Sequence, residues 1–175
     1  RFAPDFVIDA TLLSKMSGSP VKLVYTREDD MAAGFYRPAS VTKFSAGLSA
    51  DGKLVQLNAG VGSPSIMAAS GFMKIPDSGV DEFALEGIAD HPYDIANQRI
   101  TYGRREPGPQ VWFWRSVGHS HTAFAVEGFV DELAHAAGKD PYLFRQALLA
   151  GAPRNRAVLD LAASKAGWGT PLPPG

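Results

Sequence analysis

Arg115 is the residue best equipped to do chemistry in this chain. It follows Trp112-Phe113-Trp114 and precedes Ser116-Val117-Gly118-His119-Ser120-His121-Thr122, which runs into an apolar-striped stretch. A guanidinium stays charged and offers a fixed fork of donors suited to a phosphate, a carboxylate or a developing oxyanion. The three aromatics read as a short buried strand and the stretch after Thr122 as a helix. A strand, a cation, a glycine turn and a helix start together make a place to hold an anion. The first N–H groups of a helix have no internal partner and carry the positive end of its dipole. The plainer reading pairs Arg115 with Glu127 or another carboxylate at a buried helix end, and spacing alone leaves both open.

The neighbouring polar residues offer weaker chemistry. His119 and His121 form a His-x-His pair, but zinc would need further ligands, from His91, His135 or a carboxylate. Capping or hydrogen bonding is the plainer role for such a pair at a helix start. Ser116 and Ser120 lie beside them without the surroundings of a nucleophile elbow and without a spaced aspartate. Ser120 or Thr122 is expected as the helix N-cap. Glu127 could act as an acid or base, against pairing with Arg115 or capping. The aromatics at 112–114 suit either a pocket for a flat substrate or plain core. Gly60-Val61-Gly62-Ser63 has too few glycines and no following lysine for a phosphate loop.

These residues must be positioned by an α+β (mixed α/β) chain. A helix is expected over about Pro4–Met16, with Phe6, Ala10, Leu13 and Met16 or Ser17 near one face. Pro4 suits its first turn, and Gly18 and Pro20 end it. Val21–Thr26 reads as a strand and Arg27-Glu28-Asp29-Asp30 as a charged turn. Val41–Ser49 and Lys53–Val61 flank Ala50-Asp51-Gly52 as a hairpin, with Phe44, Ala46 and Leu48 on one face and Val55, Leu57, Ala59 and Val61 matching them. Ser63–Asp94 is loop-rich with some helical turns. Ile95–Tyr102 resumes strand character, and the central strand at 112–114 follows. Three helices close the chain. The first carries Phe124, Phe129, Val130, Leu133 and Ala137 as its stripe and stops at Gly138. The second has Asp140 as N-cap and Pro141 at its first position, and the third runs from Pro153 to Lys165 or Ala166 before Gly167. Residues 1–168 read as one domain-sized segment, and 169–175 as a Pro/Gly-rich linker.

Composition narrows the function. The net charge of -1 with scattered basic residues gives no nucleic-acid footprint. No apolar run approaches the roughly 18 residues of a membrane span. The 175 residues include no cysteine, which removes disulfides, thiolate nucleophiles and cysteine-ligated zinc or iron–sulfur sites from within them. Both ends read as cut, so a piece of a longer protein is expected.

The run from Trp112 to Glu127, continuing through Phe129-Val130-Asp131-Glu132-Leu133-Ala134, resembles the molybdenum-binding large subunit of the xanthine dehydrogenase / aldehyde oxidase family, closest to its isoquinoline 1-oxidoreductase-like branch. Tyr25-Thr26-Arg27-Glu28-Asp29-Asp30-Met31, Phe35-Tyr36-Arg37-Pro38, Ala137-Gly138-Lys139-Asp140-Pro141 and Phe144-Arg145 are similar to that branch too, in the same order. The resemblance implies a molybdenum–pterin cofactor, often in the cytosine dinucleotide form. It also implies oxidation of an aldehyde, or hydroxylation of a carbon next to a heteroatom, with water as oxygen source. Electrons would leave through iron–sulfur clusters on a cysteine-rich partner, and the remainder of the large subunit would complete the site.

By the same resemblance Arg115 faces the metal site and stabilises negative charge on the substrate. Ser116, Val117 and Gly118 lie with their backbone against the cofactor, and Arg1-Phe2 is the tail of a glycine-rich cofactor loop. The family's catalytic glutamate has no counterpart in this stretch, and Glu127 does not match it, so no hydroxylase activity is expected from these residues alone. The rival readings are a non-catalytic module that contacts other subunits and a small metal-dependent hydrolase using His119 and His121.

Overall fold

Asp51-Gly52 turns the chain back on itself, with Gly52 at φ +70 in the left-handed region that a tight hairpin demands. The strands on either side, β1 (Val41–Leu48) and β2 (Leu54–Ser63), pair antiparallel with Phe44 opposite Ala59. β3 (Asn97–Arg104) joins β2 in parallel, giving a three-stranded sheet in the order β1-β2-β3. The computed structural model describes residues 4–71, 73–106 and 108–171. Arg1 and Phe2 lie outside those residues.

Around the sheet stand α1 (Asp5–Ser17), α2 (Arg27–Ala33), α3 (Ile66–Ser70), α4 (His119–Ala136), α5 (Pro141–Leu148) and α6 (Pro153–Ala166), with a 3-10 turn at Glu82–Ala84. One face of the sheet is covered. Leu57, Ala59 and Val61 of β2 bury against Val126, Val130, Leu133 and Ala134 of α4, and Phe144 and Leu148 of α5 join that core. Ile88, fully buried, comes from the crossover between β2 and β3. Phe44 stacks on Phe129 with ring centres 4.9 Å apart. The opposite face presents Lys43, Ser45, Asn58, Arg99 and Thr101 around an open polar groove.

The α+β class, the hairpin and the three closing helices stand as expected. Asp140 caps α5 by accepting the Leu143 N–H, with Pro141 at the first helical position. Several local expectations are corrected. Val21–Thr26 is no strand, because no ladder partner faces it among the described residues. Arg27–Asp30 is no turn but the start of α2, closed by a capping box between Thr26 and Asp29. Val55 leaves the alternation because β2 bulges there: Gly47 faces Gln56 and Leu48 faces Leu54. Trp112–Trp114 is not a strand either. A single bridge between Tyr36 and Val111 holds that segment. α4 begins at His119, and its buried stripe is Thr122, Val126, Val130, Leu133 and Ala134, leaving Phe124 86% exposed. α1 and α6 bury no residue among those described.

Candidate functional site

The segment bearing Arg115 is held by backbone bonds rather than by a sheet. Tyr36 donates to the Gln110 carbonyl at 2.9 Å and accepts from the Trp112 N–H at 3.1 Å. Trp114 Nε1 donates to the Phe35 carbonyl at 3.2 Å. Beyond Arg115, Ser116 and Val117 both take positive φ, +69 and +40. For non-glycine residues, and a β-branched valine above all, this costs of order 1–3 kcal/mol each and persists only where surroundings over-determine it. The Val117 N–H closes the turn onto the Trp114 carbonyl at 3.0 Å. Arg37 clamps it from outside. Its Nη1 donates to the Val117 carbonyl at 3.2 Å and to Ser120 Oγ, and its Nη2 to the Arg115 carbonyl at 3.4 Å. Its guanidinium lies 5.7 Å from the centre of the Trp114 ring.

The helix start is occupied by the protein's own anion. Glu86 Oε2 accepts the Gly118 N–H at 2.9 Å. Neither Ser120 nor Thr122 is the N-cap. Thr122 is buried on α4, with its hydroxyl 2.6 Å from the Glu86 carbonyl and 2.9 Å from that of Gly118. The two segments meet so closely that a Cβ on Gly118 would lie 2.2 Å from the Phe83 carbonyl oxygen. Gly87, at φ +82, approaches Thr122 in the same way. Of the backbone donors expected to face a cofactor, Gly118 and Val117 therefore have internal acceptors. Ser116 has none among the described residues.

Arg115 is exposed, and its guanidinium has no carboxylate partner among the described residues. Pairing with Glu127 is ruled out. Glu127 accepts from the Tyr93 hydroxyl and from Arg145 Nε, each at 2.8 Å. Burial and the Glu127 charge push the Tyr93 hydroxyl well above its ordinary pKa. Arg115 instead sits on the rim of a cavity of about 530 Å³ whose walls include Phe35, Tyr36, Trp112 and Trp114, with the Arg27–Asp30 pair, 3.8 Å apart, also on it. The aromatic run is thus cavity wall rather than plain core.

The histidines do not converge. Residues two apart on a helix point to different sides. His119 lies between carboxylates, Nδ1 3.5 Å from Glu86 and Nε2 3.3 Å from Asp90. Both ring nitrogens of His121 are buried without a partner, and burial, with the Arg37 charge, lowers its pKa. Among the described residues no group of three His, Asp or Glu side chains is placed to hold a metal. Arg37 and Glu86 are the residues that spacing did not single out as parts of the site. Each acts across a gap of more than 30 positions, which local pattern does not register.

Residues 4–149 match the molybdopterin cofactor-binding domain. The chain belongs to that family. It is 35% identical over 164 residues to a membrane-bound aldehyde dehydrogenase [pyrroloquinoline-quinone] of Gluconacetobacter polyoxogenes, covering 89% of this chain and 21% of that one. It is 30% identical to a nicotinate dehydrogenase component of Pseudomonas putida over 95% of this chain and 14% of the relative. With the beta chain of isoquinoline 1-oxidoreductase from Brevundimonas diminuta the identity is 28%, over 96% of this chain and 22% of the relative. The chain thus spans between 14% and 22% of the length of these relatives. Quinoline 2-oxidoreductase from Pseudomonas putida 86 shares the fold, with a TM-score of 0.65 at 13% identity over 89% of this chain and 22% of that structure's chain.

Proposed function

We propose that this molybdopterin-binding stretch forms the anion-stabilising wall of the active site in a larger molybdenum oxidoreductase, which oxidises an aldehyde or hydroxylates a carbon of an N-heterocycle. The observation that carries this is Arg115: an exposed guanidinium, without a carboxylate partner among the described residues, on the rim of an aromatic cavity and presented by a turn in an unfavourable conformation. Bound molybdopterin would supply the redox chemistry and the activation of water. The residues fit such a group at Arg115 and at the open Ser116 N–H. At Gly118 they do not offer a donor, because Glu86 holds it.

In this reading Arg115 binds the substrate oxygen or ring nitrogen on which negative charge develops, and donates to it more strongly as that charge grows. Trp112, Trp114 and Tyr36 hold a flat substrate or pterin ring and keep water from it. Ser116 donates its N–H to the cofactor. Val117 and Gly118 contribute shape, Val117 through the turn and Gly118 through the close approach that lets Glu86 reach the helix start. The cofactor is of the cytosine dinucleotide form, and electrons leave through iron–sulfur clusters on a partner chain or domain. The lack of cysteine places any such cluster outside these 175 residues, on a partner chain or domain. The stretch is inactive by itself.

One relative is named for pyrroloquinoline quinone, whereas the matched domain binds molybdopterin. Metal analysis and pterin fluorescence on the purified parent protein separate the two. In the molybdenum-loaded enzyme Arg115→Ala should lower kcat by about 10²- to 10³-fold, the usual loss for one oxyanion donor, while molybdenum and pterin content stay at the wild-type level. Unchanged turnover, or quinone in place of molybdenum, would overturn the proposal.

A further inference from the structure

Arg115 can stabilise charge only if its backbone holds the side chain at the cavity rim, and the one bond that closes its own turn, from the Val117 N–H to the Trp114 carbonyl, leaves the Arg115 carbonyl to a partner from elsewhere. The segment has no sheet partner beyond one bridge, and two consecutive non-glycine residues after it sit at positive φ. Left to itself such a turn relaxes to ordinary φ, which would swing the preceding residue away. The restraint comes from Arg37, 78 positions upstream of Arg115. Its guanidinium reaches the carbonyls on both sides of the strained pair, Arg115 and Val117, and the Ser120 hydroxyl in the first turn of α4. Ser120 in turn donates to the Val117 carbonyl at 2.6 Å. The carbon of the same guanidinium lies over the Trp114 ring, 5.7 Å from its centre. Arg37 itself has no carboxylate partner among the described residues, so its charge is compensated by carbonyl dipoles and an aromatic ring.

We propose that Arg37 is the positioning residue of the site, a fork that locks the left-handed Ser116–Val117 turn and thereby aims Arg115 at the cavity. The proposal rests on the reading of Arg115 above. Only an arginine meets it. A lysine ammonium is a compact point charge without the fork that spans both carbonyls.

Two measurements test it. In the parent protein, hydrogen exchange should speed up at Val117, whose N–H closes the turn, by at least about tenfold in both Arg37→Ala and Arg37→Lys, while α5 stays protected. Ser120→Ala, which removes one acceptor of Arg37 together with the Ser120 bond to the Val117 carbonyl and leaves the cation, should give a smaller increase. In the holoenzyme, Arg37→Ala should lower kcat by about 10- to 100-fold, the cost of misplacing a catalytic group by an ångström, with KM and molybdenum and pterin content little changed. Millimolar guanidinium should recover part of the lost rate, and Lys at position 37 should not. Unaltered exchange at Val117, or a rate loss that merely follows lost cofactor, overturns the proposal. If Arg37→Ala fails to fold, the exchange and rate of Ser120→Ala decide: wild-type values in both overturn it. A neutral Arg115→Ala would sink the underlying reading instead, leaving the exchange result on the turn intact.

Discussion

At the residue scale the site depends on contacts that pattern does not show. The Asp-Gly turn and the Asp140-Pro141 helix start are legible in the sequence because their causes lie within a few residues. Arg115 is legible as a candidate, but its lack of a carboxylate partner among the described residues is not. That follows from Glu127 being engaged by Tyr93 and Arg145. Gly118 looks like an ordinary turn glycine and is instead a spacer. Gly118→Ala puts a methyl 2.2 Å from the Phe83 carbonyl oxygen, and backbone cannot yield as a flexible side chain can. The expected cost is about 1–3 kcal/mol or slightly more, seen as a lower urea midpoint. His121 gives a pH signature. Its folded-state pKa lies below the ordinary 6.5, so folding favours the neutral ring. Its contribution is complete above pH 6.5 and falls as the pH drops towards the lower folded value, where the unfolded chain binds the proton first. His121→Gln should flatten that part of a Tm-against-pH curve. An unchanged slope would assign it to other groups.

At the element scale the helices differ in what anchors them. α4 and α5 are joined by Arg145, only 12% exposed, which donates to Glu127, Asp131 and the carbonyls of Glu127 and Pro141. Removing it leaves two carboxylates facing each other's field and Tyr93 with an unbalanced partner. Its carboxylate partners are partly in water, so the loss in Arg145→Ala should be about 2 kcal/mol, below that for a fully buried pair. Equilibrium denaturation reads this directly, and 1 M salt should recover little of it. The expected strand at 112–114 failed for an instructive reason. Three β-prone aromatics define a strand only if a ladder partner arrives, and here the neighbouring 34–37 segment supplies one bridge and an aromatic wall instead. The strand expected at Val21–Thr26 failed in the same way. A propensity is local, whereas a sheet is a property of two segments.

Across the whole molecule the stabilising burial is uneven. The core lies between the sheet and α4–α5, while α1 leaves Phe6, Val7, Ile8 and Leu12 about half exposed. Leu12→Ser should therefore shift stability by no more than about 0.5 kcal/mol. Val130→Ala, which opens a hole beneath the sheet, should cost about 1–3 kcal/mol. Comparable losses in the two would mean that α1 is packed in solution.

The mixed sheet carries a consequence for the order in which the molecule assembles. β1 and β2 are neighbours across a tight turn, and such hairpins close in roughly 1–10 μs. β3 can align with β2 only after the chain from Pro64 to Ala96 has been gathered in, an entropy cost met before any pairing rewards it. That same crossover carries Glu86, which accepts the Gly118 N–H just before α4, and Ile88, at the centre of the core. Registering the third strand, filling the core and fixing the helix that follows Arg115 are therefore one late event. A nascent chain would hold its hairpin early and acquire its chemical wall last.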